Sequence, residues 1–173
     1  MTPGAVHIPT LTTERLVLRA PRPDDLPAFA AFYASDAARF VGGPMEEWEA
    51  WRYLCQVIGH WAMRGFGRWM VEAGGRPVGL VGLHEPLDWP ETEVGWYAWE
   101  TGKGYATEAG IAARDWAYRE LGRTTLVSMI APGNDASIRV AERMGAVRGP
   151  DYEHPRFGPL VFYRHPGPDA LAA

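Results

Sequence analysis

Residues 15–20, RLVLRA, alternate polar and apolar side chains, the period of a strand with one buried face. PDDLPAFAAFYAS (23–35) follows as a helix, with Pro23 tolerated early and acidic residues in the first turn. GGP at 42–44 breaks the chain. Over 46–64, Trp51, Leu54, Cys55, Ile58, Trp61 and Ala62 recur at helical spacing and predict one buried stripe. GRWMVEA and PVGLVGLH flank GGR (74–76), a hairpin signal, and TEVGWYAWE (92–100) adds an aromatic-rich strand. Residues 104–121 read as a helix with Ala106, Ala109, Ala113, Trp116, Ala117 and Leu121 on one side, stopped by Gly122. TTLVSMI (124–130) is a buried strand by its β-branched content. NDASIRVAERMG (134–145) is a helix with Asn134 as N-cap and Gly145 just past its end. The remainder, to about His165, gives two strands separated by HPRFG.

Strands and helices alternate only in part, which predicts an α/β (α+β) fold: one mixed sheet covered by helices on both faces. The expected boundaries are an N-terminal arm over 1–12, one folded domain over 13–165 and a frayed tail over 166–173. The length of 173 residues suits a single domain with a real core.

Composition mainly excludes. The net charge of −4, without a block of lysines and arginines, argues against a nucleic-acid surface; a mild acidic balance suits a cationic substrate. Cys55 is the single cysteine, so no internal disulfide forms, which fits a reducing cytoplasm. No signal peptide and no membrane-spanning apolar run is visible, and a cytoplasmic location is expected. The five histidines are dispersed without metal-ligand spacing, so no metal is expected. Cys55 lies on the predicted apolar stripe with no histidine nearby in sequence, a poor nucleophile. Trp48, Trp51 and Trp61 read as core packing or as one wall of an acceptor cleft.

TGKGYATEAG (101–110) places two glycines around a lysine directly before a helix. Free N–H groups and the helix dipole make such a mouth suited to anions, although a plain tight turn has the same sequence. The P-loop pattern fails, because Tyr97 stands where its first glycine belongs and Gly104 follows Lys103. The dinucleotide fingerprint fails at Thr107, and this loop comes after four strands rather than one.

Four segments, LTTERLVLRAPRPDD, RPVGLVGL, EVGWYAWETGKGYATEA and NDASIRVAERMGA, together resemble the GNAT superfamily of N-acetyltransferases, most closely its RimJ/RimL branch of ribosomal-protein-alanine acetyltransferases. The likeness runs from about Leu11 to about His165 and implies a mostly antiparallel sheet with one splayed pair of parallel strands. The family's phosphate loop, [QR]-x-x-G-x-[GA], falls on Thr101 to Ala106, with threonine replacing the usual first residue. The resemblance implies that Gly102, Lys103, Gly104, Tyr105, Ala106 and Thr107 hold the pyrophosphate of acetyl-CoA, and that the backbone of Trp96, Tyr97, Ala98 and Trp99 runs beside pantetheine. It also implies that Asn134 touches pantetheine and that Ser137 lies near the coenzyme sulfur.

The implied reaction is direct attack of a primary amine, from a protein N-terminus or a small molecule, on the thioester carbonyl within a ternary complex. An alkylamine with a pKa of about 10 must first lose a proton. Glu93 is the first choice of base, because period-2 alternation puts it on one face with Gly95 and Tyr97. Glu91, Glu85 and His84 are lesser alternatives, and Ser137 is the candidate partner of the leaving thiolate. Tyr152 and Tyr163 lie too far along the chain to match the general-acid tyrosine of many relatives. A non-catalytic acyl-CoA sensor that keeps the loop but needs neither Glu93 nor Ser137 is the alternative, and a homodimer is compatible with either.

Overall fold

The computed structural model describes residues 6–172. The strands are β1 (Leu11–Thr12), β2 (Val17–Arg19), β3 (Arg68–Ala73), β4 (Arg76–His84), β5 (Glu93–Ala98), β6 (Val127–Ile130), β7 (Val147–Arg148), β8 (Tyr152–His154) and β9 (Gly158–Arg164). The helices are α1 (Leu26–Tyr33), α2 (Glu47–Arg64), α3 (Tyr105–Glu120), α4 (Asp135–Arg143) and α5 (Pro168–Ala172). The sheet runs β1-β2-β3-β4-β5-β6-β9-β7, with β8 paired to β9. Every pairing is antiparallel except β5–β6, which are parallel and in register only at Glu93 and Val127. The mixed sheet with helices on both faces is therefore observed.

The two faces are separated by strand alternation. Trp69, Val71, Val81, Val94 and Trp96 point toward α3, whose Ala109, Ala113 and Ala117 let it lie close to the sheet. Met70 and Leu80 point the other way, into a core shared with Phe29 and Tyr33 of α1 and Ala50, Leu54 and Val57 of α2. Trp61, Trp69 and Trp116 form an edge-on cluster, with centroids 4.8 and 5.1 Å from the Trp69 ring. Local signals set the helix ends. Glu49 accepts from the Glu46 N–H at the start of α2, Gly65 closes that helix at φ 74°, and Asn134 Oδ1 accepts from the Ser137 N–H.

The stripe predicted on α2 is rotated by about one residue. Ala50, Leu54, Val57 and Trp61 are buried, whereas Trp51 (46% exposed), Ile58, Cys55 and Ala62 face outward. Both sets repeat at 3 and 4, and the aromatic weight of Trp51 favoured the wrong one. Trp48, 58% exposed, belongs to neither the core nor the cavity described below.

The segments flanking the domain are anchored. Trp69 Nε1 donates to Pro9 O (2.7 Å), and Leu11–Thr12 pairs with β2, so the described part of the expected arm packs on the sheet. In the expected tail, Tyr118 Oη donates to Pro166 O (2.8 Å) and residues 168–172 are helical. Among the described residues no helix is long and apolar enough to cross a membrane.

Trp61→Ala should cost about 3–5 kcal/mol of unfolding free energy in a urea titration, and Trp51→Ala no more than about 0.5 kcal/mol. Equal losses at both positions would contradict the observed orientation of α2.

Candidate active site

β5 is where the sheet opens. Trp99 N–H donates to Val78 O (2.9 Å), and the β4–β5 register then directs the backbone groups of Tyr97, Gly95 and Glu93 toward β4. Those of Val94, Trp96 and Ala98 alternate toward β6. Past Glu93 no β5–β6 pair continues, and two side chains take the vacated bonds. Ser128 Oγ donates to Val94 O (2.6 Å), while Glu93 Oε1 accepts from Met129 N–H (3.2 Å). Beyond this bridge the backbone groups of Trp96 and Ala98 face the gap.

The gap joins a cavity of ≈ 1100 Å³ whose lining includes Glu93 to Tyr97, Ser128 to Pro132, Asn134 and Ser137. Its outer wall comes from the loop after α1, from Tyr53 and Arg52 of α2, and from the β8–β9 hairpin. Glu93, Gly95 and Tyr97 share the cavity face, as alternation requires: a Cβ built on Gly95 would lie 3.7 Å from the Glu93 carboxyl carbon. The Trp96 ring lies in the core on the opposite face, so only its backbone reaches the cavity side.

Glu93 is 7% exposed. Its Oε2 accepts from Trp89 Nε1–H (3.0 Å), and Arg68 Nη2 lies 3.9 Å away. Burial pushes the Glu93 carboxyl above the usual carboxylate range; Arg68 and the two donors offset this in part. The other candidate bases are placed differently. Glu91 pairs with Arg164 (2.6 Å), which holds its carboxyl below the usual range. Glu85 accepts from Thr92 Oγ1 and pairs with Arg64 and Arg123, and neither glutamate lines the cavity. His84 does line it, but burial, Arg68 and the stacked His60 ring push its pKa down to about 2, leaving it neutral. His165, brought to about 3 by burial and by Arg114, is likewise neutral and supports Ser128 through Nε2 (2.9 Å).

The glycine loop stands at the mouth of α3. Gly102 and Gly104 have φ of +75° and +78°, the left-handed region that favours glycine. The first helical bond runs from Glu108 N–H to Gly104 O, and no side chain caps the mouth. The N–H groups of Gly104, Tyr105, Ala106 and Thr107 therefore have no intrahelical acceptor. The segment before β2 braces this loop: Arg15 pairs with Glu108 (2.6 Å), its Nη1 donates to Lys103 O (2.9 Å), and Thr13 Oγ1 donates to Glu108 (2.6 Å).

The structure thus brings Glu93, Trp96, Tyr97, Asn134 and Ser137 to one cavity, while residues 102–107 form the separate helix mouth. Ala98 and Trp99 lie just beyond the cavity lining, Trp99 packing its ring against Phe32 (5.9 Å). Sequence reasoning missed Arg68, Tyr53, Trp89 and Ser128. Arg68 follows a glycine at the start of a strand, and no local pattern announces its pairing with Glu93. Cys55, expected inside the α2 stripe, is exposed at the cavity edge.

A family profile described as acetyltransferase (GNAT) domain matches residues 15–147. The structure is similar to an acetyltransferase from Agrobacterium tumefaciens strain C58, with 39% identity, TM-score 0.84, and coverage of 92% of this chain and 95% of that one. It shares its fold with a GNAT-family acetyltransferase from Bacillus anthracis (22% identity, TM-score 0.75, 90% and 96% covered). It also shares its fold with RimL, a ribosomal L7/L12 alpha-N-protein acetyltransferase solved with coenzyme A (17% identity, TM-score 0.75, 91% and 97% covered). A curated relative, the uncharacterized Bacillus subtilis protein YkkB, is 48% identical over 44 residues; the match spans 25% of this chain and 26% of that protein's length.

Ser128→Ala should cost about 1–3 kcal/mol in urea unfolding, because Val94 O and His165 Nε2 both lose their partner in the interior. A loss below about 0.5 kcal/mol would mean the β5–β6 bridge does not hold as described.

Proposed function

The chain belongs to the GNAT acetyltransferase family, and from that premise we propose that it transfers the acetyl group of acetyl-CoA to a primary amine by direct attack in a ternary complex. The observation that carries this reading is the splay of β5 from β6: a row of free backbone groups that ends at an uncapped helix mouth and opens on a cavity with one buried carboxylate. The diphosphate is held by the N–H groups of Gly104 to Thr107, where the α3 dipole and the absence of a Cβ at Gly102 and Gly104 favour it. Lys103 adds charge beside the loop. Pantetheine runs along the edge that Trp96 and Ala98 present, rather than along all four expected residues, because the backbone groups of Tyr97 and Trp99 turn to β4; Asn134 contacts it from the N-cap of α4.

The acceptor amine reaches the thioester from the α1–α2 side. Glu93 takes its proton, directly or through one water, and the elevated pKa makes this carboxylate a better base than an exposed one. Attack forms the C–N bond, and the charge growing on the carbonyl oxygen is met by the Trp96 N–H, a donor of a kind worth roughly 2.7–4 kcal/mol elsewhere. Collapse breaks the C–S bond. The thiolate, with an ordinary pKa of about 8.5, leaves with a hydrogen bond from Ser137. The products are an N-acetylated amine and coenzyme A. A place in the RimJ/RimL branch is supported by the sequence motifs; the RimL structure supports the fold.

Release of free thiol from acetyl-CoA in the presence of amines tests this reading. Glu93→Gln should lower kcat by about 10²–10⁴-fold with acetyl-CoA affinity changed less than about twofold. In the wild type kcat/KM should fall as pH drops through the raised Glu93 pKa, because the protonated acid cannot accept the amine proton; this limb should vanish in Glu93→Gln. An unchanged kcat in the variant would remove Glu93 from the reaction. Gly104→Val, which forces a branched side chain into the left-handed region beside Arg15, should weaken acetyl-CoA binding by at least about tenfold in calorimetry.

A further inference from the structure

Arg68 sits on the cavity wall with only 4% of its surface exposed. Its Nη1 donates to Tyr53 Oη (2.9 Å), and its guanidinium lies over the Tyr97 ring (4.7 Å). Nε is buried without any acceptor among the described residues, and Nη2 is 3.9 Å from Glu93 Oε2, too far for a hydrogen bond. A guanidinium carries five N–H donors in a fixed fork, and burying such a charge is costly unless an anion meets the fork. Glu93 balances the charge only at a distance, because its own oxygens are committed to Met129 N–H and Trp89 Nε1–H. The fork is therefore left with N–H donors that no acceptor among the described residues meets.

The wider cavity has the same sign. Its lining includes four arginines, Arg39, Arg52, Arg68 and Arg156, against two glutamates, Glu49 and Glu93, and its one histidine, His84, is neutral. Asp88 pairs with Arg156 (2.5 Å), which leaves Arg39, Arg52 and Arg68 against Glu49 and Glu93, an excess of one positive charge. The chain as a whole carries −4, so this positive field is local to the cavity.

We propose that the acceptor is a primary amine bearing a carboxylate close to its nitrogen, as in a free α-amino acid, and that Arg68 binds the carboxylate while Glu93 faces the amine. This rests on the acetyltransferase reading above and names its substrate class. The spacing fits: amine and carboxylate of an α-amino acid are separated by one carbon, and Arg68 and Glu93 lie 3.9 Å apart. The planar fork suits bidentate carboxylate recognition, which fixes the amine relative to the base. The same charge disfavours polycationic acceptors, so the acidic character of the whole chain is a poor guide to its substrate.

The test compares matched acceptors at one pH by thiol release from acetyl-CoA: phenylalanine, phenylalaninamide and phenethylamine; leucine, leucinamide and isoamylamine; and spermidine as polycation. The carboxylate-bearing member of each set should have kcat/KM about 10- to 100-fold above its partners, the range expected for a charged hydrogen bond. Arg68→Met should abolish that preference, and Arg68→Lys should retain part of it. Wild-type selectivity alone is decisive if the variants do not fold. Equal or reversed preference, turnover led by spermidine, or a preference unchanged in a folded Arg68→Met protein would overturn the proposal. Acetyl-CoA binding without turnover or competition by any carboxylate-bearing amine would also overturn it, and would leave the coenzyme reading standing. Absence of acetyl-CoA binding in calorimetry would instead bring down the acetyltransferase reading, and this one with it.

Discussion

The site depends on a reciprocal bridge between two parallel strands. At the point where β5 and β6 part, Ser128 satisfies Val94 O and Glu93 satisfies Met129 N–H. A sheet cannot open in its interior without orphaning backbone groups, each of which costs free energy when buried. Here one orphan on each strand is met by a side chain of the other strand. The opening can therefore start at a fixed residue, and the next outward groups, those of Trp96, are left without a strand partner. His165, neutral and buried, holds Ser128 in place from behind.

This bridge also explains the state of Glu93. The same carboxylate that stitches the strands lines the cavity, where burial raises its pKa and Arg68 restrains the rise. An isolated carboxylate at this depth would take up a proton; one paired closely with Arg68 would be too weak a base. The net effect is a carboxyl above the usual range, with Arg68 at 3.9 Å and the two donors on its oxygens offsetting part of the rise. The second structural support is more distant in sequence. Arg15 and Thr13, ahead of β2, fasten Glu108 and the Lys103 carbonyl, so the glycine loop is held from outside while its N–H groups stay free.

Most strands, the α3 mouth and the Asn134 cap were legible because each is written in a few consecutive residues: a period-2 pattern, paired glycines before a helix, an asparagine three residues before a serine; β1 and β7, two residues each, are too short to carry a period and were not. Glu93 could be placed on the face of Gly95 and Tyr97 by alternation alone. The orientation of α2 was not legible, since Trp51, Cys55 and Ile58 repeat with the same spacing as Ala50, Leu54 and Val57, and only tertiary packing selects between them. Arg68 was invisible for a different reason. Its partners, Tyr53 of α2 and Glu93 and Tyr97 of β5, lie 15 to 29 positions away in the chain, and its burial follows from the sheet closing over it. Ser128 lies in an apolar run, and only the splay of β5 from β6 gives it a partner.

The proposed mechanism requires that Trp96 N–H be free in the ligand-free protein and be taken up by the thioester. Amide hydrogen exchange, followed residue by residue with and without acetyl-CoA, measures it most directly. The Trp96 amide should exchange faster than that of Gly95 in the free protein, and acetyl-CoA should slow it together with the amides of Gly104 to Thr107. Protection of Trp96 equal to that of Gly95 before any ligand is added, or no change at these amides in the complex, would contradict it.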